Sequence, residues 1–169
     1  MQALADYAAS LGDVTQVIHT SGVSPSDTAT GNIIKINAAG TVNMVEAFYP
    51  VLAEGGVMIN FSSVAAYAMS KKFVIYFTQK NVVRFAEKHC RILSISPGCY
   101  LTPMHQKLID NQPETAENQL ELIPAGRWRY PYEMGALTAF LCSSGDGYIN
   151  GVDILADGGQ NAGIFVPQI

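Results

Sequence analysis

Four short apolar runs, at residues 14–18, 57–61, 91–95 and 152–156, are separated by intervals too long for hairpin turns. Two-residue turns join antiparallel strands, whereas parallel neighbours need a crossover of a dozen or more residues, usually a helix. The intervals have that character. Leu4, Ala8 and Leu11 recur at helical spacing, as do Ile33, Ile36, Val42, Val45 and Phe48, and a third apolar-periodic segment runs from Phe73 to Phe85. The pattern predicts an α/β fold with a parallel sheet, right-handed crossovers and helices on both faces.

Composition sets the outer limits. At 169 residues and 49% hydrophobic, the chain can bury a real core, and residues 1–169 read as one domain without repeats or a linker. The net charge of −4 and the lack of a basic run interleaved with aromatics argue against nucleic acid and anionic membranes as partners. Cys90, Cys99 and Cys142 are odd in number and widely spaced, which suits a reducing compartment. No targeting segment or apolar run of membrane-spanning length is evident, so the expected location is the cytoplasm.

Punctuation places the loops. Gly12 ends the first helix, and the first strand leads into His19-Thr20-Ser21-Gly22 and a turn-rich loop to Gly31. Asn32 caps a helix expected to reach Ala53 and to stop at Gly55-Gly56. Ser62-Ser63 end the second strand and Pro97-Gly98 the third. Residues 103–128 read as one or two short helices in a long excursion, Pro131 opens a helix to Ser144, and Asp157-Gly158-Gly159 follow the last strand. Gly145-Asp146-Gly147 precede a strand rather than open a helix, so they read as a turn.

One pentad carries chemistry. In Tyr67-Ala68-Met69-Ser70-Lys71 a helix would bring the phenol and the ammonium to one face. A phenol titrates near ~10, and a fixed cation beside it favours the phenolate, which suits proton transfer in alcohol and carbonyl interconversion. The pentad alone also allows Lys71 to be a solvated face residue. His89 and His105 lack metal-ligand spacing, and no metal is assigned.

The order of motifs is more specific. Asn37 within a helix, Ser62-Ser63 at a strand end, Tyr67-x-x-x-Lys71, Pro97-Gly98-x-x-x-Thr102 and the closing Gly151 to Gly159 stretch together resemble the short-chain dehydrogenase/reductase family. The resemblance implies a Rossmann-like doubly wound parallel sheet, here without its first three strands, and an NAD(P)-dependent oxidoreductase. It implies Tyr67 as general acid/base, Lys71 as the group that depresses the Tyr67 pKa and holds the nicotinamide ribose, Ser63 on the substrate oxygen, and Asn37 holding a water that links Lys71 to solvent. Pro97, Gly98 and Thr102 would meet the nicotinamide, with Ser21 and Gly22 beside the cofactor. His19 would touch the adenosine side or serve as a structural residue at the strand end.

The resemblance further implies NAD or NADP as cofactor, a small-molecule alcohol or carbonyl substrate, and a homodimer or homotetramer. The chain departs from the family in lacking the N-terminal Gly-rich portion that binds pyrophosphate. It also places Ser63 and Tyr67 four apart instead of about a dozen, so Tyr67 either is the catalytic tyrosine or ends a strand-following Ser-Ser-Val-Ala-Ala-Tyr stretch. Ser94 and Arg129 replace the usual Asn and Gly. Met104, Leu108, Leu120, Leu122 and Trp128 are open between lid and core. The competing class is a short-chain dehydrogenase-like binding protein that has lost the dinucleotide.

Overall fold

In the computed structural model, which describes residues 1–23, 28–63 and 68–166, four parallel strands form one sheet in the order β1-β2-β3-β4. They are β1 Val14–His19, β2 Leu52–Phe61, β3 Arg91–Pro97 and β4 Asp153–Ala156. All four occupy the expected runs. Each strand pairs in register with the next, Ile18 beside Ile59, Ile59 beside Leu93, and Ile95 beside Ile154.

Both faces of the sheet are covered, which a parallel sheet of apolar strands requires. Side chains alternate across the pleat, so neighbouring residues of one strand enter different cores. Val17, Met58 and Ile92 pack with Ala5 of α1 (Gln2–Leu11), with Val45 and Phe48 of α3 (Gly40–Phe48), and with Phe85 of α5 (Val82–Ala86). On the opposite face Val57, Ile59, Leu93 and Ile95 pack with Leu141 of α8 (Pro131–Cys142). This is the doubly wound arrangement.

Several boundaries differ from expectation for local reasons. The second strand starts at Leu52, and its register to β1 slips between Val14 and Gln16; Gly55, at φ 76°, sits within that slip instead of ending a helix. The helix expected from Asn32 begins with α2 (Thr30–Ile33) and passes through a π-helical stretch, Ile34–Ala39, into α3. There the Gly40 N–H reaches back five residues to the Lys35 carbonyl. The segment from Phe73 to Phe85 divides into α4 (Ala68–Lys80) and α5, with Asn81 between them donating its side-chain amide to the Phe77 carbonyl.

The excursion holds two helices, α6 (Pro103–Asn111) and α7 (Pro113–Glu121), each with proline in its first turn. Gly145 lies in a 3₁₀ turn, Ser144–Asp146, and a short α9 (Gln160–Phe165), which the sequence reading did not anticipate, follows β4. Among the described residues no helix is long and apolar enough to cross a membrane.

Phe85 is fully buried, with its ring 5.1 Å from that of Tyr49. Phe85→Ala should therefore lower unfolding free energy by about 3–5 kcal/mol, read from the urea midpoint, whereas Phe85→Leu should lose less because it leaves a smaller cavity.

Candidate active site at the strand ends

The loop after β1 and the C-terminal end of β2 come together at Lys71, in the first turn of α4. Its side chain is only 7% exposed, and its ammonium donates to the carbonyl of Phe61, the last residue of β2, at 3.0 Å. A Cβ on Gly22 would lie 2.9 Å from that nitrogen and 3.2 Å from Asn37 Oδ1, so the absent side chain lets the loop after β1 close on both. Among the described residues no carboxylate pairs with Lys71. Burial accordingly pulls its pKa below the ordinary lysine value.

The frame around this ammonium is closed by hydrogen bonds. Asn37, 1% exposed on the π-helical stretch, accepts from the Val23 N–H and donates to the Val23 carbonyl, both at 2.9 Å, and also reaches Ser70 Oγ at 3.3 Å. Its own carbonyl accepts from the Thr41 hydroxyl at 2.7 Å, while the Ser62 hydroxyl donates to the Lys71 carbonyl at 2.8 Å.

Beside this frame opens a cleft of about 690 Å³, lined by Phe61, Ser63, Pro97, Gly98, Tyr100, Thr102, His105 and Leu108 among others. Among the described residues that line it, none is Lys, Arg, Asp or Glu. Gly98 forms its floor; a Cβ there would sit 2.6 Å from the Asp157 Cα, so β3 and β4 can end side by side only because position 98 carries no side chain. Thr102 caps α6, its hydroxyl accepting from the His105 N–H at 3.3 Å, with Pro103 next.

Comparison with known proteins bears on this arrangement. The family described as enoyl-(acyl carrier protein) reductase matches residues 2–161. The 3-oxoacyl-[acyl-carrier-protein] reductase FabG of Thermotoga maritima is 33% identical over 75% of this chain, and D-threitol dehydrogenase of Mycolicibacterium smegmatis is 31% identical over 94%. The chain belongs to the short-chain dehydrogenase/reductase family. It spans about 55% of the FabG relative and 68% of the threitol dehydrogenase. A Sinorhizobium meliloti structure described as a short-chain alcohol dehydrogenase superposes with a TM-score of 0.84 at 27% identity, covering 95% of this chain and 71% of that one.

Within this short-chain dehydrogenase/reductase frame, the structure brings Asn37, Lys71 and Gly22 together and places Ser63, Pro97, Gly98 and Thr102 in the adjoining cleft. Thr20, Ser21 and Gly22 are exposed at the end of β1. Tyr67, the expected acid/base, lies outside the described residues. His19 is buried, 4% exposed, with its Nδ1 3.3 Å from Asn60 Oδ1, whose amide nitrogen in turn donates to Thr78 at 3.0 Å. The His19 ring is therefore part of the interior rather than of the exposed loop beside it.

Of the apolar residues left open between lid and core, Leu108 lines the cleft, Leu120 and Trp128 line a smaller pocket behind it, and Leu122 is 50% exposed. The Met104 side chain lies outside the described residues. Sequence reasoning passed over Tyr100 and Gln119 and weighed His105 only as a metal ligand; all three also line the cleft. The available signal was Thr102-Pro103, whose cap aims the first turn of α6 back at the strand ends.

Burial lowers the His19 pKa most, and the Lys71 charge adds to it, against the opposing bond from Asn60. Protons therefore bind the unfolded chain more strongly between the folded pKa and about 6.5, so stability rises with pH through that window and falls on acidification. His19→Gln, which can keep a bond to Asn60 without titrating, should flatten the slope of stability against pH below about 6.5 in chemical denaturation.

Proposed function

We propose that the protein is an NAD(P)-dependent oxidoreductase that interconverts a secondary alcohol and a carbonyl by hydride transfer. The observation that carries this reading is the buried ammonium of Lys71, held by a backbone carbonyl and facing no carboxylate among the described residues, at the edge of a cleft outside the carboxyl ends of parallel strands. An unpaired buried cation costs stability, and its retention points to a task at the site. Open α/β sheets bind their ligands in that same crevice. Two relatives are named as a reductase of an oxoacyl group and a dehydrogenase of a polyol, and alcohol–carbonyl chemistry is common to both.

The residues present fit a nicotinamide dinucleotide. The exposed Ser21 and Gly22 would lie along it, Lys71 would hold its ribose hydroxyls, and Pro97, Gly98 and Thr102 would meet the nicotinamide end. When bound, NAD or NADP supplies or accepts the hydride. Tyr67 removes the hydroxyl proton during oxidation, or returns it to the carbonyl oxygen during reduction, with its phenolate favoured by the Lys71 charge. Ser63 holds the substrate oxygen by a hydrogen bond. Asn37 also acts as a clamp: its side-chain amide is engaged by Val23 and Ser70, so it fixes the loop beside Lys71, and it would hold the water that links Lys71 to solvent.

In this reading the protein works in the cytoplasm as a homodimer or homotetramer. Met69, Tyr76 and Val83, seven residues apart along α4 and α5, are 85%, 56% and 74% exposed, and such an apolar stripe fits burial against a second copy. Val83→Glu should lower the mass found by light scattering.

Lys71→Met should abolish turnover and weaken dinucleotide binding while leaving thermal stability equal or higher, because it removes a buried charge. Tyr67→Phe should cut single-turnover hydride transfer by at least ~10²-fold with dinucleotide binding kept. Titrating the complete protein with NADH and NADPH decides between this reading and a binding protein without cofactor: absence of binding to both overturns it.

A further inference from the structure

The cleft beside Lys71 holds one polar atom with nothing to bond. His105 Nε2 is shut off from solvent and has no hydrogen-bond partner among the described residues. The imidazole and the indole of Trp128 meet edge to face, with ring centroids 4.3 Å apart and planes at 67°. This contact and the Thr102 cap hold α6 and its histidine against the cleft.

Two features favour the neutral ring. Burial disfavours the imidazolium, and the first turn of α6, where His105 sits, carries the positive end of the helix dipole. A neutral imidazole has one N–H and one lone pair. A proton on the enclosed Nε2 can rest against the aromatic neighbour as an N–H···π contact, which leaves Nδ1 as the acceptor. The other polar side chains of the described cleft wall, among them Thr20, Ser63, Thr102 and Gln119, carry no charge, and Phe61, Pro97, Leu108, Pro131 and Met134 supply an apolar surface.

We infer that His105 is a specificity-determining residue that accepts a hydrogen bond from a hydroxyl of an uncharged, largely apolar hydroxyketone or diol substrate. This inference rests on the alcohol–carbonyl reading above. A carboxylated or phosphorylated substrate would enter a cleft whose described lining residues include no Lys or Arg, and the nearby Lys71 ammonium is already engaged by the Phe61 carbonyl, so desolvating the anion would be poorly compensated. A hydroxyl directed at Nδ1 meets an acceptor already positioned by Trp128.

The test compares benzoin, a hydroxyketone, with deoxybenzoin, which lacks only the hydroxyl, in the complete protein with its preferred dinucleotide. Wild type should favour benzoin in kcat/KM by about five- to tenfold, the worth of one neutral hydrogen bond. His105→Phe keeps a ring against Trp128 and should erase that preference through benzoin alone, with dinucleotide Kd unchanged; His105→Asn, whose amide reaches the Nδ1 position, should restore part of it. Equal losses on both ketones, or an unaltered preference, would assign His105 to packing and overturn the inference. Should wild type reduce neither ketone, the ring nitrogens of ¹⁵N-histidine-labelled protein still decide: a His105 Nδ1 shift on adding benzoin but not deoxybenzoin upholds the contact, and no shift overturns it.

Discussion

A single buried cation organises the strand ends. Lys71 reaches from the first turn of α4 to the carbonyl of Phe61, so the helix that follows β2 is tied back to the last residue of that strand. The loop after β1 closes on the same ammonium because Gly22 brings no side chain, and Asn37 pins the adjoining Val23 backbone from a third element. Burying an ammonium with a carbonyl but no carboxylate is unfavourable in isolation. The surrounding elements hold it in place.

The same economy of polar groups runs through the sheet. Asn60, fully buried in β2, links His19 of β1 to Thr78 of α4, and Asp153 of β4 accepts from Ser94 and Ser96 of β3 at 2.6 Å each. These side chains lie where an all-apolar parallel strand would be expected. Each has its partner, so their burial avoids the cost of an unsatisfied group and fixes which residues face one another across the sheet.

The architecture was legible because the signals that specify it are local. Apolar runs, helical periodicity and the punctuation of Gly and Pro located all four strands and the helices between them, and the ordered motifs identified the family. What escaped the sequence depended on contacts between distant residues. The break at Asn81, the π-helical turn and the slip around Gly55 follow from tertiary packing and side-chain to backbone bonds, which periodicity does not report. His105 was weighed only as a metal ligand; its place in the cleft depends on a cap at Thr102 and on Trp128, some twenty residues further along the chain. Ser63 was read from its place after a strand end and Lys71 from the pentad it closes, whereas the pairing of Tyr67 with Lys71 lies outside the described residues.

The excursion between β3 and α8 is fastened at its base. Gly98 packs on Asp157, which accepts from Gly159 and Asn161 at the start of α9; Tyr100 and Arg129 form a backbone bridge; and Arg127 grips Glu133 through two hydrogen bonds at 2.7 and 2.9 Å, holding that carboxyl at about 2. The two helices between these fasteners hang from an already closed stem. Lengthening or replacing a loop whose ends are fixed costs little more closure entropy, which grows only with the logarithm of its length. Residues 103–126 can therefore be exchanged as a cassette while the sheet and its buried cation stay as they are.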